Sequence, residues 1–234
     1  MLSELKKTIA NIVDPGNTLY FSGCLTHFTL PNIENKYKKI LNNLNIDYIT
    51  IPKFYCCGSP VINAGYIEDF EKLKNKQIEL FKSYGIKKII TNCPSCAYMF
   101  NSNFSNTVKA YHITQILAKN LSKINRIHNN KEITYHDPCH LGRKSQITEE
   151  PRIILETLGF KVIDFQNSKE NTSCCGAGGG LKTNNPKLSN SIAKDLLKQV
   201  KTKQLVTTCP MCYKHFTENA PKNLKIIELS ELFK

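Results

Sequence analysis

Five cysteines occur twice in this chain, and that repeat constrains its fold more than any other feature. Cys24, Cys56, Cys57, Cys93 and Cys96 recur as Cys139, Cys174, Cys175, Cys209 and Cys212 at offsets of 115, 118, 118, 116 and 116, with no cysteine left over. The first half reads C-x31-C-C-G-x34-C-x2-C and the second C-x34-C-C-G-x32-C-x2-C. The match extends past cysteine, since residues 92–100 answer 208–216 and residues 108–117 answer 224–233. The chain therefore divides into a first cysteine-rich unit at 18–125 and a second at 126–234. Residues 1–17 precede them, with Leu2, Leu5, Ile9 and Ile12 spaced as a short amphipathic helix.

Within each half, short β-branched or aromatic runs alternate with helical stretches. Strands are expected at 18–21, 48–51, 88–91 and 109–112, then at 133–136, 161–165, 205–208 and 225–228. Helices are expected between them, as at 68–84 and 186–201, with Thr114 and Ser230 placed as N-caps. The alternation predicts an α/β fold of two tandem, duplicated Rossmann-like units, with mostly parallel sheets related by a pseudo-two-fold axis. Open sheets of this kind place their sites at the carboxyl ends of strands, where every cysteine group lies.

Ten cysteines in this pattern point to metal. A disulfide framework belongs to small secreted chains without a core, whereas 41% of these residues are hydrophobic and no secretion signal opens the chain. Buried structural cysteine would not repeat five positions twice. Zinc is the serious rival, because C-x2-C turns and four thiolates make a closed tetrahedral site. Each half, however, offers five sulfurs from three separated loops, which suits a polynuclear iron–sulfur cluster better; zinc in one half stays open. Gly58 and Gly176 would let the backbone turn beside each cysteine pair, and Gly178 and Gly179 would let main-chain N–H groups approach a bound group. Pro94, Pro138 and Pro210 would fix the ligand loops.

The formal charge of +13 does not indicate nucleic acid, because the basic residues are scattered and, apart from Arg126, Arg143 and Arg152, are all lysine. Docking of an acidic electron-transfer partner is a fairer use of such a field. No run approaches the ~18 apolar residues of a membrane span. A cytoplasmic location is expected, peripheral to a membrane only through a partner subunit.

The motif Tyr135-His136-Asp137-Pro138-Cys139-His140-Leu141-Gly142-Arg143, with Cys174-Cys175-Gly176-Ala177-Gly178-Gly179-Gly180 and the duplicated pattern, closely resembles the cysteine-rich (CCG) domains of the B-type and D-type subunits of heterodisulfide reductase. Similar domains occur in thiol:fumarate reductase and in iron–sulfur subunits of glycolate, lactate and glycerol-3-phosphate oxidising systems. The resemblance implies two noncubane four-iron four-sulfur clusters, one per five-cysteine set, splitting a disulfide of the CoM-S-S-CoB type within a multi-subunit complex. A ferredoxin-like iron–sulfur subunit and a flavoprotein subunit are the partners implied, since no compact C-x2-C-x2-C-x3-C run is present. For the protons of the product thiols, His140 is the first candidate and His27 its approximate counterpart, though either ring could instead only hydrogen-bond a sulfur or a carbonyl. Arg143 and Lys144 could meet an anionic substrate. Two alternatives accompany this expectation: an electron-transfer subunit of a flavin-linked hydroxy-acid or fumarate/succinate oxidoreductase, and a zinc-stabilised scaffold without activity.

Overall fold

Short Ile-, Val-, Thr- and Tyr-rich runs favour extended backbone, and the computed structural model, which describes residues 16–52, 56–128 and 130–233, gathers them into two sheets. The first holds β1 (Asn17–Tyr20), β2 (Ile86–Thr91) and β3 (Lys109–His112) in the order β1-β2-β3. The second holds β4 (Lys131–His136), β5 (Phe160–Asp164), β6 (Gln204–Thr207) and β7 (Lys225–Glu228) in the order β5-β4-β6-β7. Every pairing is parallel. The repeat persists in the register, for Ile89 faces Ala110 and Ile90 faces Tyr111 as Leu205 faces Ile226 and Val206 faces Ile227. The fold is therefore α/β, built from two related parallel units.

Helices fill the crossovers that parallel strands require. The first half contains α1 (Cys24–Thr29), α2 (Pro31–Asn43), α3 (Ser59–Asn63), α4 (Ile67–Ser83), α5 (Pro94–Asn103) and α6 (Ile113–Ala118). The second has a π-helical turn (His140–Lys144) where the first has α1, followed by α7 (Glu149–Thr157), α8 (Leu181–Asn184), α9 (Pro186–Leu197) and α10 (Pro210–Asn219), and closes on a 3₁₀ turn (Leu229–Leu232). Among the described residues no helix is long and apolar enough to cross a membrane.

Amphipathic spacing decides where these helices pack. Helix α2 buries Ile33, Tyr37, Ile40 and Leu41 on one face. That face does not stay within its own half. Tyr20, Tyr37 and Ile113 share one core cluster with Tyr135, Ile154 and Leu229, so a single inner layer serves both sheets. Helix α6 packs on α7 across the halves, and α2 packs on the closing 3₁₀ turn. Each half also keeps an outer cluster of its own, one around Phe81 and Phe100 and the other around Phe165 and Phe216.

Two expectations change, and a third falls almost wholly outside the described residues. The stretch at 48–51 forms no strand; Ile49 makes a single bridge to Leu19 before Pro52, which has no N–H to continue a ladder. The caps are not Thr114 and Ser230 but the strand-end residues His112 and Glu228 two positions earlier, whose side chains accept from the Thr114 and Ser230 N–H groups. Gln115 and Glu231 return the bond to the cap backbone in both places, completing matched capping boxes. The helix expected over 1–17 lies outside the described residues up to position 15, and Asn17 opens β1.

Glu228 is fully buried between the halves, accepting from the Tyr37 hydroxyl at 2.6 Å and the Ser230 N–H at 2.8 Å. Burial pushes its carboxyl up to about 7, against those hydrogen bonds, which favour the carboxylate. The folded state thus holds this proton more tightly than the unfolded chain, whose value is near 4.5. The contribution is present in full below pH 4.5 and is lost as pH rises to 7. Relative to a Glu228→Gln variant, the protein is expected to lose roughly 3 kcal/mol of stability across that window and then level off, as read from urea unfolding of both proteins at each pH.

Candidate metal centre

The cysteines sit where the backbone is turned sharply or a helix begins. Cys93 and Cys209 are the N-caps of α5 and α10, with Pro94 and Pro210 at the first helical position and Cys96 and Cys212 at the third. Both pairs thus sit at helix N-termini, beside free backbone N–H groups. Cys24 opens α1 after Gly23, and Cys139 opens the π-helical turn. Pro138 holds that turn through its carbonyl, which accepts from the Leu141 and Gly142 N–H groups at 2.8 and 2.9 Å.

In each half the thiols make a continuous string in the same order. Cys24 meets Cys56, which meets Cys57, then Cys96, then Cys93; Cys139, Cys174, Cys175, Cys212 and Cys209 follow suit. The Cys24 and Cys56 sulfurs lie 3.9 Å apart and those of Cys175 and Cys212 3.2 Å apart. All ten are free thiols. Among the described residues, no three or more His, Cys, Asp or Glu side chains are grouped as a single ion would hold them.

The strings also share their electrostatics. Hydrogen bonds from Cys24 and Cys57, joined by the Gly58 N–H, pull the Cys56 thiol down to about 3. Cys139 and Cys175, joined by the Gly176 N–H and by Arg143, pull Cys174 down to about 2. Cys24, Cys57, Cys96 and their counterparts Cys139, Cys175 and Cys212 are pushed up, first by hydrogen bonds to neighbouring sulfurs and then by burial. Neighbouring thiolates repel, so the first sulfur of each Cys-Cys pair is the one that the protein ionises most readily.

Both strings open into one cavity of about 440 Å³, lined by every cysteine except Cys56. Contacts across the halves bring them there. Helix α5, carrying Cys96, packs against the second half's π-helical turn, and α10, carrying Cys212, packs against α1. His140 lines the cavity with Nδ1 3.5 Å from the Cys139 sulfur, and burial followed by the nearby Lys144 lowers its pKa. Its ring meets Tyr98 of the first half edge-on at 5.9 Å. His27 is not brought to this cavity. Its Nδ1 lies 2.9 Å from Glu34 Oε2, and its ring lines a separate space of about 210 Å³. The register of the repeat pairs His140 with Leu25 instead, each one residue past the first cysteine and each lining the cavity.

Supporting contacts differ between the halves. Asp137, fully buried, forms a two-point pair with Arg152 at 2.9 and 2.7 Å, and Arg152 also reaches Asp164 at 2.7 Å, clamping the strand end before Cys139. The first half has Ser22 where the second has Asp137; its Tyr20 hydroxyl donates to Asn92 at 3.1 Å, answering the Tyr135–Thr208 bond at 3.0 Å, and Asn92 donates to Thr26 at 3.0 Å. Gln77 of α4 donates to the Cys56 carbonyl, and Ser189 of α9 donates to the Gly176 carbonyl at 2.8 Å. The sequence expectations omit Gly23, where an added Cβ would lie 3.3 Å from the Cys96 sulfur and φ is +81°. Its place immediately before Cys24 is the signal that marks it.

Gly58 and Gly176 both take φ +87°, and a Cβ at Gly176 would come within 2.9 Å of the Ser189 carbonyl oxygen. Gly178 and Gly179 line the cavity with open space beside them, and of these two only Gly179 has positive φ. Gly176→Ala is therefore expected to cost about 1–3 kcal/mol in urea unfolding, whereas Gly178→Ala stays within about 0.5 kcal/mol of the parent.

Comparison with known proteins agrees with this geometry. The cysteine-rich (CCG) domain matches residues 18–101 and 133–217. An uncharacterized iron–sulfur protein of Methanococcus maripaludis is 32% identical over 88% of this chain and 42% of its own length. The D subunit of dihydromethanophenazine:CoB–CoM heterodisulfide reductase from Methanosarcina acetivorans is 30% identical over 94% of this chain and 58% of its own. The B subunit of fumarate reductase (CoM/CoB) from Methanothermobacter marburgensis is 27% identical over 94% and 46%. The chain thus spans about half the length of the curated relatives it matches. With both copies of the motif matched and both lining one cavity, the chain belongs to the cysteine-rich CCG domain family.

Proposed function

We propose that this chain is the iron–sulfur redox component of an oxidoreductase, holding one four-iron cluster of the noncubane type on each five-cysteine set and reducing a disulfide between them. The observation that carries the reading is the single cavity lined by nine of the ten cysteines from both halves. The donor set fits. Five thiols per site exceed the four that zinc takes. Bound there, such clusters would supply single electrons to the substrate sulfurs.

The chain's own residues supply the rest. Gly178, Gly179 and the N-termini of α5 and α10 present backbone beside the sulfurs. Each turnover breaks one S–S bond, consumes two electrons and two protons, and releases two thiols. His140 lines the cavity with Nδ1 3.5 Å from the Cys139 sulfur, which places its ring to pass protons from solvent to the product sulfurs. A flavoprotein and a ferredoxin-like subunit would deliver the electrons, in keeping with the reductase-subunit names of its relatives.

Anaerobic reconstitution of the full chain is expected to bind about eight irons and about eight acid-labile sulfides. Cys57→Ser and Cys175→Ser should each remove about half of that iron. Reduced viologen should then drive reduction of small disulfides. Zinc retained without sulfide would support the scaffold instead. Full iron with no disulfide turnover, but with reoxidation of the clusters by fumarate-linked or hydroxy-acid-linked flavoproteins, would support electron relay.

A further inference from the structure

His112 ends β3 and caps α6, and its ring is fully enclosed. Its Nδ1 accepts from the Thr114 N–H at 3.4 Å and lies 2.8 Å from the Thr114 hydroxyl. A backbone N–H can only donate, so Nδ1 is the bare nitrogen of the ring. Burial lowers the pKa to about 4 and keeps the imidazole neutral. The ring proton therefore sits on Nε2. That nitrogen makes no single hydrogen bond of ordinary geometry, although it is shut away from solvent.

Two main-chain groups share it. Backbone hydrogen bonding with Asn92 and with Thr208 favours a proton on this ring. Sheet register brings the first, since His112 pairs with Thr91, whose chain runs on into Asn92 and Cys93. Packing across the halves brings the second. Ile113, next to His112, shares a buried cluster with Tyr135 and Val206, and the Tyr135 hydroxyl lies 3.0 Å from Thr208 Oγ1. Asn92 and Thr208 are counterparts at an offset of 116, each one residue before a C-x2-C turn. An N–H divided between two carbonyls is a three-centre bond, weaker to each than a direct one but aimed at both. Each carbonyl belongs to the same peptide as the N–H of Cys93 or Cys209, and polarising it makes that N–H a stronger donor. The counterpart of His112 cannot do this, because Glu228 has no ring N–H and its carboxyl is taken by the Tyr37 hydroxyl and the Ser230 N–H.

We infer that His112 is a positioning residue for both centres at once: its Nε2–H joins the peptide that leads into Cys93 to the peptide that leads into Cys209, and one imidazole of the first half thereby sets both C-x2-C turns. That these turns hold metal rests on the reading above; the tie itself rests on the ring and the two carbonyls.

Two substitutions separate the roles of the two ring nitrogens. Asn reaches only as far as Nδ1 and keeps a cap acceptor without the outer donor, whereas Gln carries an amide nitrogen as many bonds from Cα as Nε2. Each is placed in the reconstituted full chain bearing Cys175→Ser, which retains the first centre, or Cys57→Ser, which retains the second. At a potential poised on the midpoint of each background, His112→Asn is expected to lower the ratio of reduced to oxidised centre by about threefold in both, as read by electron paramagnetic resonance, and His112→Gln to bring both back toward the starting ratio. A shift confined to the first centre, a shift in neither, or no recovery with Gln overturns the inference. If His112→Asn instead costs iron, loss from both backgrounds recovered by Gln supports the tie, and loss from the first alone overturns it. Nitrogen-15 resonance of the histidine-labelled parent chain reads the tie whatever the turns hold. A ring protonated at Nε2 with a slowly exchanging proton supports it; a ring protonated at Nδ1, or a freely exchanging proton, overturns it. Absence of iron and sulfide from the parent defeats the proposed function, and the ring resonance then decides the tie by itself.

Discussion

Five sulfurs cannot all carry charge side by side without a cation among them, and most of the structure around them answers that constraint. The fold gives each set a helix N-terminus, a glycine turn at positive φ and, in the first sulfur of its Cys-Cys pair, a thiol held well below its ordinary range. Metal ions relieve the repulsion, so loading such a site is coupled to proton release. The same constraint accounts for the main-chain support of the Cys-Cys loops. Gln77 and Ser189 come from long helices that are themselves packed into the outer clusters, and each holds a carbonyl that would otherwise turn its negative end toward the sulfurs.

Duplication supplied two such sites, and divergence has made them unequal. Both halves keep a neutral bond from the strand tyrosine, Tyr20–Asn92 and Tyr135–Thr208, but only the second adds buried charge before its first cysteine, through Asp137, Arg152 and Asp164, where the first has Ser22. A bidentate guanidinium–carboxylate pair is directional, and breaking a buried one leaves an uncompensated charge. The tolerance of the two sites to substitution therefore differs in kind, although their sulfur strings run in the same order.

Much of this is legible in the sequence because it depends on local chemistry. Strand runs such as 109–112 and 225–228 match residue for residue, and the offsets of the cysteines carry over into sheet register. What escapes is set by tertiary contact. The stretch at 48–51 has strand composition but meets Pro52. His112 and Glu228 are not legible as caps because His and Glu are uncommon there, and only the strand ends that deliver them to the next turn give them that role. His27 looks like a partner for His140 because both are histidines near a first cysteine, but spacing from the cysteine, which pairs His140 with Leu25, governs direction. That both sites open into one space cannot be read from either repeat alone.

The inner layer bears on how the duplication behaves as a molecule. Tyr37, Ile40 and Leu41 of α2 share their core with Ile154 and Leu155 of α7 and with Leu229 and Leu232 at the chain end. An isolated half would leave its own part of that layer in water, with the capping carboxyl of Glu228 deprived of Tyr37. The repeat is thus a unit of sequence and of chemistry but not of packing, since neither half closes its own core.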